Sequence, residues 1–182
     1  MAGGAGGTLA LAPIRQREDL HDRFVRRVEY NCRAAMRLPE DLIAERKRIA
    51  ARYLTGRGIE IGALDAPTPV PPGAIVRYVD FRAVAELHRQ YPQLDASSFV
   101  AVDVVDDGER LSRFADASID FLIANHMLEH CENPLGTMRN HLRKVKPGGM
   151  LFYAMPDMRM GFDRERSLTP FEHVVADRKS VV

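Results

Sequence analysis

The 182-residue chain contains few cysteines, almost no net charge and no long apolar run. The two cysteines, Cys32 and Cys131, lack the spacing of a metal site or a redox pair, which favours a reduced compartment and a packing role. A formal net charge of +1 provides no global field to attract nucleic acid or an anionic membrane. No apolar segment approaches the roughly 20 residues that span a bilayer. We therefore expect a cytoplasmic protein whose partners include neither nucleic acid nor a membrane.

The sequence also lacks the G-x-G-x-x-G pattern of dinucleotide-binding domains, which disfavours a nicotinamide-dependent oxidoreductase. Residues 1–14 are mostly small and lack the basic start and apolar core of a secretory signal, so we predict a disordered tail. Residues 15–57 carry apolar side chains at helical spacing and predict an N-terminal extension of two helices, the second between Pro39 and Gly56. The excess of basic residues there could meet phosphate or an acidic surface, but a solvated exterior is the favoured interpretation, because no aromatic residues interleave to stack on bases.

Residues 58–182 alternate apolar strands with helical segments, a pattern typical of a parallel sheet covered on both faces. We predict an α/β fold, a Rossmann-like parallel sheet of about five strands with flanking helices and the N-terminal helical extension. Four prolines between residues 64 and 74 exclude a regular helix after the first strand, although an extended link of about 33 Å still permits a parallel return. The predicted strands are 59–63, 75–80, 99–103, 119–125 and 150–155, and the predicted helices are 83–91, 109–114, 134–145 and one beginning near Thr169; KPGG at 146–149 predicts a tight turn.

Acidic residues lie near the carboxyl ends of the first three predicted strands. Glu60 and Asp80 are twenty positions apart, the separation at which a second-strand carboxylate reaches the ribose hydroxyls of a ligand above the first strand. Asp103 ends the third predicted strand. Because the carboxyl ends of parallel strands meet at one edge, the pattern predicts a nucleotide-like ligand there. A dinucleotide is disfavoured, because the proline-rich link provides no helix N-terminus to bind a pyrophosphate.

The ordered segments GIEIGA, YVD, VAVDVVDD, SIDFLIANHMLEHCENP and LRKVKPGGMLFYAMPD resemble the motif series of class I S-adenosylmethionine-dependent methyltransferases. The resemblance covers roughly residues 58–157 and implies S-adenosylmethionine as the cofactor. A tail of the form FDRxRxLTPxEH is similar to that of methyltransferases associated with surface-glycan synthesis, which implies a small-molecule or carbohydrate-like (glycan) acceptor. The implied cofactor-binding residues are Glu60, Gly62 and Ala63 at the methionine end, Asp80 at the ribose, Asp103 and Val104 at the adenine, and the backbone carbonyl of Asn125 at the ammonium group.

Two residues are candidates for the acceptor side of the site. His126, the first residue after the fourth predicted strand, is predicted to act as the base, with a substrate contact or loop packing as alternatives. Asp157, after the fifth strand, is the other candidate base. His126, Glu129 and His130 spell the inverted zinc-peptidase motif H-x-x-E-H, but it begins in a loop, so we predict no zinc site. A divalent ion near Glu129 and His130 stays open, and loop packing is the favoured interpretation.

The sequence departs from the family pattern in two ways. Gly62 is followed by Ala63, Leu64 and Asp65 where most members have further glycines, and the sequence ends at Val182 where the class usually adds two strands. A truncated, inactive methyltransferase and a noncatalytic nucleoside-binding or interaction module are therefore the alternatives. An exposed sheet edge also predicts a homo-oligomer or another partner that covers it.

Overall fold

A computed structural model of the protein describes residues 40–92, 94–160 and 164–180, without the side chains of residues 40–42, 96, 160 and 178–180. The predicted tail and the first predicted helix of the extension lie outside these residues. The second helix of the extension is present as α1 (Glu40–Tyr53), and residues 40–182 group into one unit with it. No helix among the described residues is long and apolar enough to cross a membrane.

Five parallel strands form one sheet in the order β3-β2-β1-β4-β5. This arrangement confirms the predicted α/β fold, including the parallel pairing of the first two strands across the proline-rich link. The strands are β1 (Arg57–Ile61), β2 (Ile75–Asp80), β3 (Val104–Val105), β4 (Ile119–Asn125) and β5 (Val145–Ala154).

Three further helices follow the strands, and local signals in the sequence account for their starts. One of them begins at Pro134, which occupies its first turn. The side chain of Asn133 caps that turn by accepting a hydrogen bond from the Gly136 amide at 2.8 Å. These starts agree with the predicted helices to within two residues. The helices are α2 (Val84–Gln90), α3 (Pro134–Lys144) and α4 (Phe171–Ser180), with short 3₁₀ turns at Ala96–Ser98, Leu128–His130 and Met158–Met160.

Side chains alternate between the two faces of the sheet, and each face has its own cover. We call one face the α1 face, where Ala50 of α1 and Leu54, the residue directly after α1, pack on Phe121 and Ile123 of β4. We call the other the α3 face; its buried core includes Ile59, Ile61, Val79, Leu122 and Ala124, and Tyr153 of β5 packs against it and contacts His141 of α3.

The proline-rich link between β1 and β2 covers part of the α1 face in place of a helix. Val70 and Ala74 of this link pack against the same cluster as α1. Prolines at four positions remove amide donors that a helix would need, so no helix forms there. The link binds the sheet through apolar side chains and through Thr68, whose amide and hydroxyl donate hydrogen bonds to Glu60.

The predicted third strand, residues 99–103, was wrong in position. The ladder with β2 begins only at Val104, because the side chain of Asp103 accepts the Tyr78 amide hydrogen bond at 2.7 Å that a strand carbonyl would otherwise accept. The Asp103 amide in turn donates to the Tyr78 carbonyl at 2.9 Å. Residues 99–103, whose apolar alternation suggested a strand, therefore precede the two-residue strand β3.

The predicted helix at 109–114 was also wrong, because two aspartates compete for its amides. Asp107 accepts a hydrogen bond from the Glu109 amide at 2.9 Å, and Asp106 accepts one from the Arg113 amide at 2.8 Å. Leu111 adopts a left-handed conformation, with φ of 49°. The segment is consequently a series of turns.

The predicted tight turn at 146–149 is an irregularity inside β5. The register with β4 jumps from Ile119–Val145 to Phe121–Met150, so the intervening residues of β5 have no regular partners. Gly148 has φ of 80°. The start of β5 thus moves from the predicted residue 150 to Val145.

Candidate cofactor and active site

The ends of three neighbouring strands place predicted site residues at one edge of the sheet. Ile61 of β1 pairs with both Val79 of β2 and Ala124 of β4. The residues that follow these three are Gly62, Asp80 and Asn125, so the register brings them side by side. This is the carboxyl edge, where open α/β sheets bind their ligands.

Gly62 leaves open space above the end of β1. Its φ is 66°, and a Cβ atom added to it would meet nothing within 4 Å. Two residues later, Leu64 adopts a similar left-handed conformation with φ of 49°, although its side chain is buried. A turn that glycines usually form is therefore made here with one glycine and a strained leucine. Ala63 lies between them and is buried.

Glu60 lies at the centre of a buried polar cluster on the α1 face. Its side chain is 1% exposed. Oε1 accepts hydrogen bonds from the Thr68 hydroxyl at 2.7 Å and from the Asn125 amide group at 3.3 Å. The backbone amide of Thr68 lies 3.0 Å from both carboxylate oxygens, and the Asn125 amide group also donates to the Thr68 hydroxyl at 2.8 Å. The cluster ties the proline-rich link to the ends of β1 and β4.

Burial dominates the electrostatics of this cluster. It raises the pKa of the Glu60 carboxyl, and the hydrogen bonds from Thr68 and Asn125 and the charge of Arg46 only partly oppose it. The Asn125 side chain is held by its nitrogen, while its Oδ1 is buried and has no hydrogen-bond partner among the described residues. An unsatisfied buried oxygen of this kind calls for a donor.

His126 follows Asn125 in a strained backbone conformation. Its φ is 52°, and its amide donates to the Ala154 carbonyl at 2.8 Å. The imidazole Nε2 lies 3.3 Å from Nη2 of Arg46, and Nδ1 lies 3.5 Å from Oε1 of Glu129. Helix α1 therefore contributes a side chain to the edge on which His126 lies.

Glu129 and His130 belong to the loop after β4 rather than to a metal-binding helix. Oε1 of Glu129 is 3.9 Å from Nε2 of His130. Within residues 40–180, as far as the structure describes them, no three His, Cys, Asp or Glu side chains are arranged to hold a metal ion. The thiol of nearby Cys131 is half-buried, and burial raises its pKa to about 12, which suits a packing role.

Asp157 lies after β5 on the surface, and its carboxylate is occupied. Arg159 donates to it from Nε at 2.9 Å, from Nη2 at 2.6 Å and from its backbone amide at 2.9 Å. These hydrogen bonds lower the pKa of the Asp157 carboxyl to about 2. A carboxylate with so low a pKa is a poor proton acceptor near neutral pH.

Asp103 directly precedes β3, and Val104 is the first residue of that strand. Val104 pairs with Val79 and is buried, and Asp103 precedes it beside the middle of β2. The expectation that Asp103 ends the third strand is therefore wrong, whereas its predicted contact with adenine stays a prediction. Val105 pairs with Asp80, and the Asp106 amide donates to the Asp80 carbonyl at 3.0 Å.

Sequence reasoning missed Arg46 and Thr68. Thr68 could have been noticed as a hydroxyl within the proline-rich link. Arg46 had no local signal, because it meets His126 across 80 positions of sequence.

A parallel sheet of this order, with acceptor side chains at its carboxyl edge, is typical of α/β proteins that bind nucleotide-like ligands. A family model described as a methyltransferase domain matches residues 56–153, more than half of the chain. The chain belongs to this methyltransferase family. The match confirms the resemblance to class I S-adenosylmethionine-dependent methyltransferases, with S-adenosylmethionine as the cofactor.

Solved structures of low sequence identity resemble the chain. A SAM-dependent methyltransferase from Aquifex aeolicus has 15% identity and a TM-score of 0.48, with 84% of this chain and 80% of that chain covered. The [4+2]-cyclase SpnF has 19% identity and a TM-score of 0.42 over 77% of this chain and 55% of its own. The trans-methyltransferase CalH, in complex with SAH, has 19% identity and a TM-score of 0.40 over 62% of this chain and 34% of its own. The chain thus spans less than two thirds of the SpnF and CalH chains. No curated protein sequence matches it significantly.

The residues at the edge fit S-adenosylmethionine. The ligand offers hydrogen-bond donors at its ribose hydroxyls and its ammonium group, and the edge presents the Asp80 carboxylate and the unsatisfied Oδ1 of Asn125. The open space at Gly62 permits close approach to the backbone. Acceptors and space are therefore present at the carboxyl edge, where open α/β sheets bind their ligands.

Proposed function

We propose that the protein transfers a methyl group from S-adenosylmethionine to a small-molecule acceptor. The observation that carries the proposal is the convergence of Gly62, Asp80 and Asn125 at one edge, directly beside His126. The match of the methyltransferase family to residues 56–153 supports it.

The chain's own residues would bind and align the reactants. Asp80 accepts hydrogen bonds from the ribose hydroxyls, and Asn125 accepts one from the ammonium group through its backbone carbonyl or its Oδ1. The cluster of Glu60 and Thr68 fixes the Asn125 side chain. When bound, S-adenosylmethionine supplies an electrophilic methyl group on a sulfonium. The protein then needs chiefly to align the acceptor with it and to exclude water.

His126 is the residue we assign to the acceptor. An imidazole nitrogen there removes the proton when the acceptor is a hydroxyl, because histidine exchanges protons readily near neutral pH. We do not assign Asp157 this role, given its hydrogen bonds with Arg159. A carbohydrate-like acceptor stays a proposal that rests on the tail FDRERSLTPFEH, part of which, residues 161–163, lies outside the described residues.

A noncatalytic nucleoside-binding module is the second candidate. The contact between Arg46 and Nε2 of His126 favours it, because in this arrangement the guanidinium occupies the nitrogen lone pair that a base would use. The binding half of the site is the same for both candidates, so binding alone does not distinguish them.

Two measurements on the full chain test the proposal. Titration calorimetry with S-adenosylmethionine and with S-adenosylhomocysteine should show binding of both, and weaker binding by Asp80→Ala. An assay for S-adenosylhomocysteine release over a panel of small hydroxyl and amine acceptors should then show turnover. Absence of cofactor binding contradicts both candidates, whereas binding without turnover on any acceptor favours the noncatalytic module. A partner or second copy at the β5 edge stays a prediction that light scattering tests.

A further inference from the structure

Helix α1 is anchored on the sheet in a way that fixes the position of Arg46. Ala50 and Leu54 are fully buried against Phe121 and Ile123. Arg46 is four residues before Ala50 and eight before Leu54, so all three lie on one face of the helix. Packing of the two apolar residues therefore holds Arg46 over the carboxyl edge, within reach of His126.

The Arg46 guanidinium is underused in this position. In the described part of the chain its one hydrogen-bond partner is Nε2 of His126, at 3.3 Å, and it makes no ion pair. Arg48, on the exposed side of the same helix, is paired with Glu45 at 2.6 Å and 2.7 Å. The guanidinium has five N–H donors, and a partly buried cation without a counter-ion is unfavourable. Burial accordingly lowers the pKa of Arg46, and the Glu60 charge only partly offsets this.

Neither nearby carboxylate supplies the missing partner. Glu60 is already engaged by Thr68 and Asn125, and burial raises its pKa toward the neutral form. Glu129 lies at the opposite nitrogen of His126, 3.5 Å from Nδ1. The part of Arg46 that faces the edge therefore has donors to spare for a ligand.

The contact also determines which ring nitrogen of His126 acts as the acceptor. A guanidinium can only donate, so Nε2 of His126 must accept and the neutral imidazole carries its proton on Nδ1, on the side of Glu129. In this tautomer the basic lone pair of His126 is the one that Arg46 covers. An acceptor can use His126 as a base only after the guanidinium has moved to another partner.

We propose that Arg46 binds an oxyanion of the acceptor, such as a carboxylate or a phosphate, and that this exchange uncovers Nε2 of His126. A hydrogen bond from a guanidinium to an oxyanion is charge-assisted and stronger than one to a neutral imidazole, so the exchange is favourable. The inference rests on the proposed function and narrows its substrate class to anionic small molecules. Arg46 is then the residue that selects the acceptor, and His126 becomes available as the base once Arg46 has bound the anion.

The test is histidine ¹⁵N NMR of the full chain saturated with S-adenosylhomocysteine. Wild type and the matched control Arg48→Met should show His126 as a single Nδ1–H tautomer, whereas Arg46→Met should show a mixture of tautomers. Inorganic phosphate and acetate should shift the Nε2 signal in wild type and the control, with at least a tenfold weaker apparent affinity in Arg46→Met. Arg46→Leu, whose side chain likewise has no hydrogen-bond donor, takes the place of Arg46→Met if the latter does not fold.

Each other outcome overturns the inference. An unchanged His126 tautomer in Arg46→Met would show that Arg46 does not determine the tautomer. Equal anion affinities in all variants would show that Arg46 does not bind the anion. The affinity for S-adenosylhomocysteine should stay within about twofold in every variant, because Arg46 lies on the acceptor side. Loss of cofactor binding in the wild type would instead contradict the proposed function, so the two failures are distinguishable.

Discussion

The two faces of the sheet bury polar groups in different ways. On the α3 face, His141 is fully buried, Nδ1 accepts from the Tyr153 hydroxyl at 2.8 Å and Nε2 donates to the Gly108 carbonyl at 2.7 Å. Both ring nitrogens are satisfied and the residue is neutral. On the α1 face, Asn125 has an unsatisfied oxygen, and the Arg46 guanidinium has donors in excess of its partners.

The difference separates a polar cluster that is complete within the protein from one that has unused hydrogen-bonding groups. Hydrogen bonds that close completely within the protein, as at His141, stabilise a core and offer nothing to a ligand. Those that end in an unused acceptor or donor, as at Asn125 and Arg46, are costly unless a ligand completes them. The cover of the α1 face, a helix and a proline-rich link, holds its polar groups at the carboxyl edge of the sheet.

The largest expected effect comes from removing the central polar residue of each face. Glu60→Ala and His141→Ala should each lower the free energy of unfolding by about 3 kcal/mol, because both leave buried partners unsatisfied. Only Glu60→Ala should also weaken binding of S-adenosylhomocysteine, by about tenfold, because it releases Asn125. Urea unfolding and calorimetry measure the two quantities. Equal losses of affinity in both variants would abolish the distinction between the faces.

Catalysis should depend on His126 rather than on Asp157. With an acceptor that supports turnover, His126→Ala should lower kcat roughly 100-fold through loss of the base while cofactor affinity changes little. Asp157→Asn is the control and should stay within about twofold, because its carboxylate is paired with Arg159 on the surface. Full activity of His126→Ala in the release assay would remove His126 from the mechanism.

Cofactor affinity should depend on Asp80, at the end of β2, and not on Asp103, which lies beside Tyr78 of the same strand. Asp80→Ala should raise the Kd for S-adenosylhomocysteine about tenfold, or about 1.4 kcal/mol, through loss of the ribose acceptor. Asp103→Ala should leave that Kd unchanged. It should lower the free energy of unfolding by about 1 kcal/mol, because the Asp103 carboxylate accepts a hydrogen bond from the Tyr78 amide. Calorimetry and urea unfolding of both variants decide the assignment, and a larger affinity loss in Asp103→Ala would reverse it.

At Leu64, in the strained turn after β1, a glycine variant should be more stable than an alanine variant, which is the reverse of the usual order. Leu64→Gly should be more stable than Leu64→Ala by about 1 kcal/mol, because glycine relieves the left-handed conformation at φ of 49°. Leu87 of α2 is buried in the same cluster and is the control. There the glycine variant should be the less stable one by about 1 kcal/mol. Unfolding midpoints of the four variants test this, and the same order at both positions would contradict it.

The smallest effect is a pH dependence of opposite sign on the two faces. Burial raises the pKa of Glu60 above its ordinary 4.5, so its stabilising contribution is present below 4.5 and is lost as the pH rises through the raised value. Burial lowers the pKa of His141 below 6.5, so its contribution is present above 6.5 and is lost as the pH falls through the lowered value.

Substitution should remove these slopes separately. Glu60→Gln should flatten the loss of stability at rising pH, and His141→Gln the loss at falling pH, each by about 1 kcal/mol or less. Urea unfolding at several values between pH 4 and 8 measures the differences from wild type. Slopes of the same sign from both substitutions would be inconsistent with these pKa shifts.

Local signals predicted much of the fold, and long-range contacts explain the errors. Strands β2 and β4 match their predicted bounds, because Ile75–Asp80 and Ile119–Asn125 are short apolar runs between clear turn residues. The third strand was misplaced because the side chain of Asp103 replaces a backbone acceptor, which no periodicity reveals.

The site was predictable where the chain order fixed it and unpredictable where two distant segments meet. Asp80 and Asn125 follow from strand ends and register. The bond between Glu60 and Thr68, and the contact of Arg46 with His126, depend on how the proline-rich link and α1 lie across the sheet. Those positions are set by packing on Phe121 and Ile123, not by nearby sequence.

The Thr68 amide has a further use. Its nitrogen lies 3.0 Å from both carboxylate oxygens of the buried Glu60. Deuterium uptake at this one amide should therefore report the ionisation of Glu60 directly, since a charged carboxylate binds the amide more strongly than a neutral one. Hydrogen exchange at Thr68, followed by mass spectrometry while ligands are added, can thus reveal the ionisation of the buried polar cluster around Glu60.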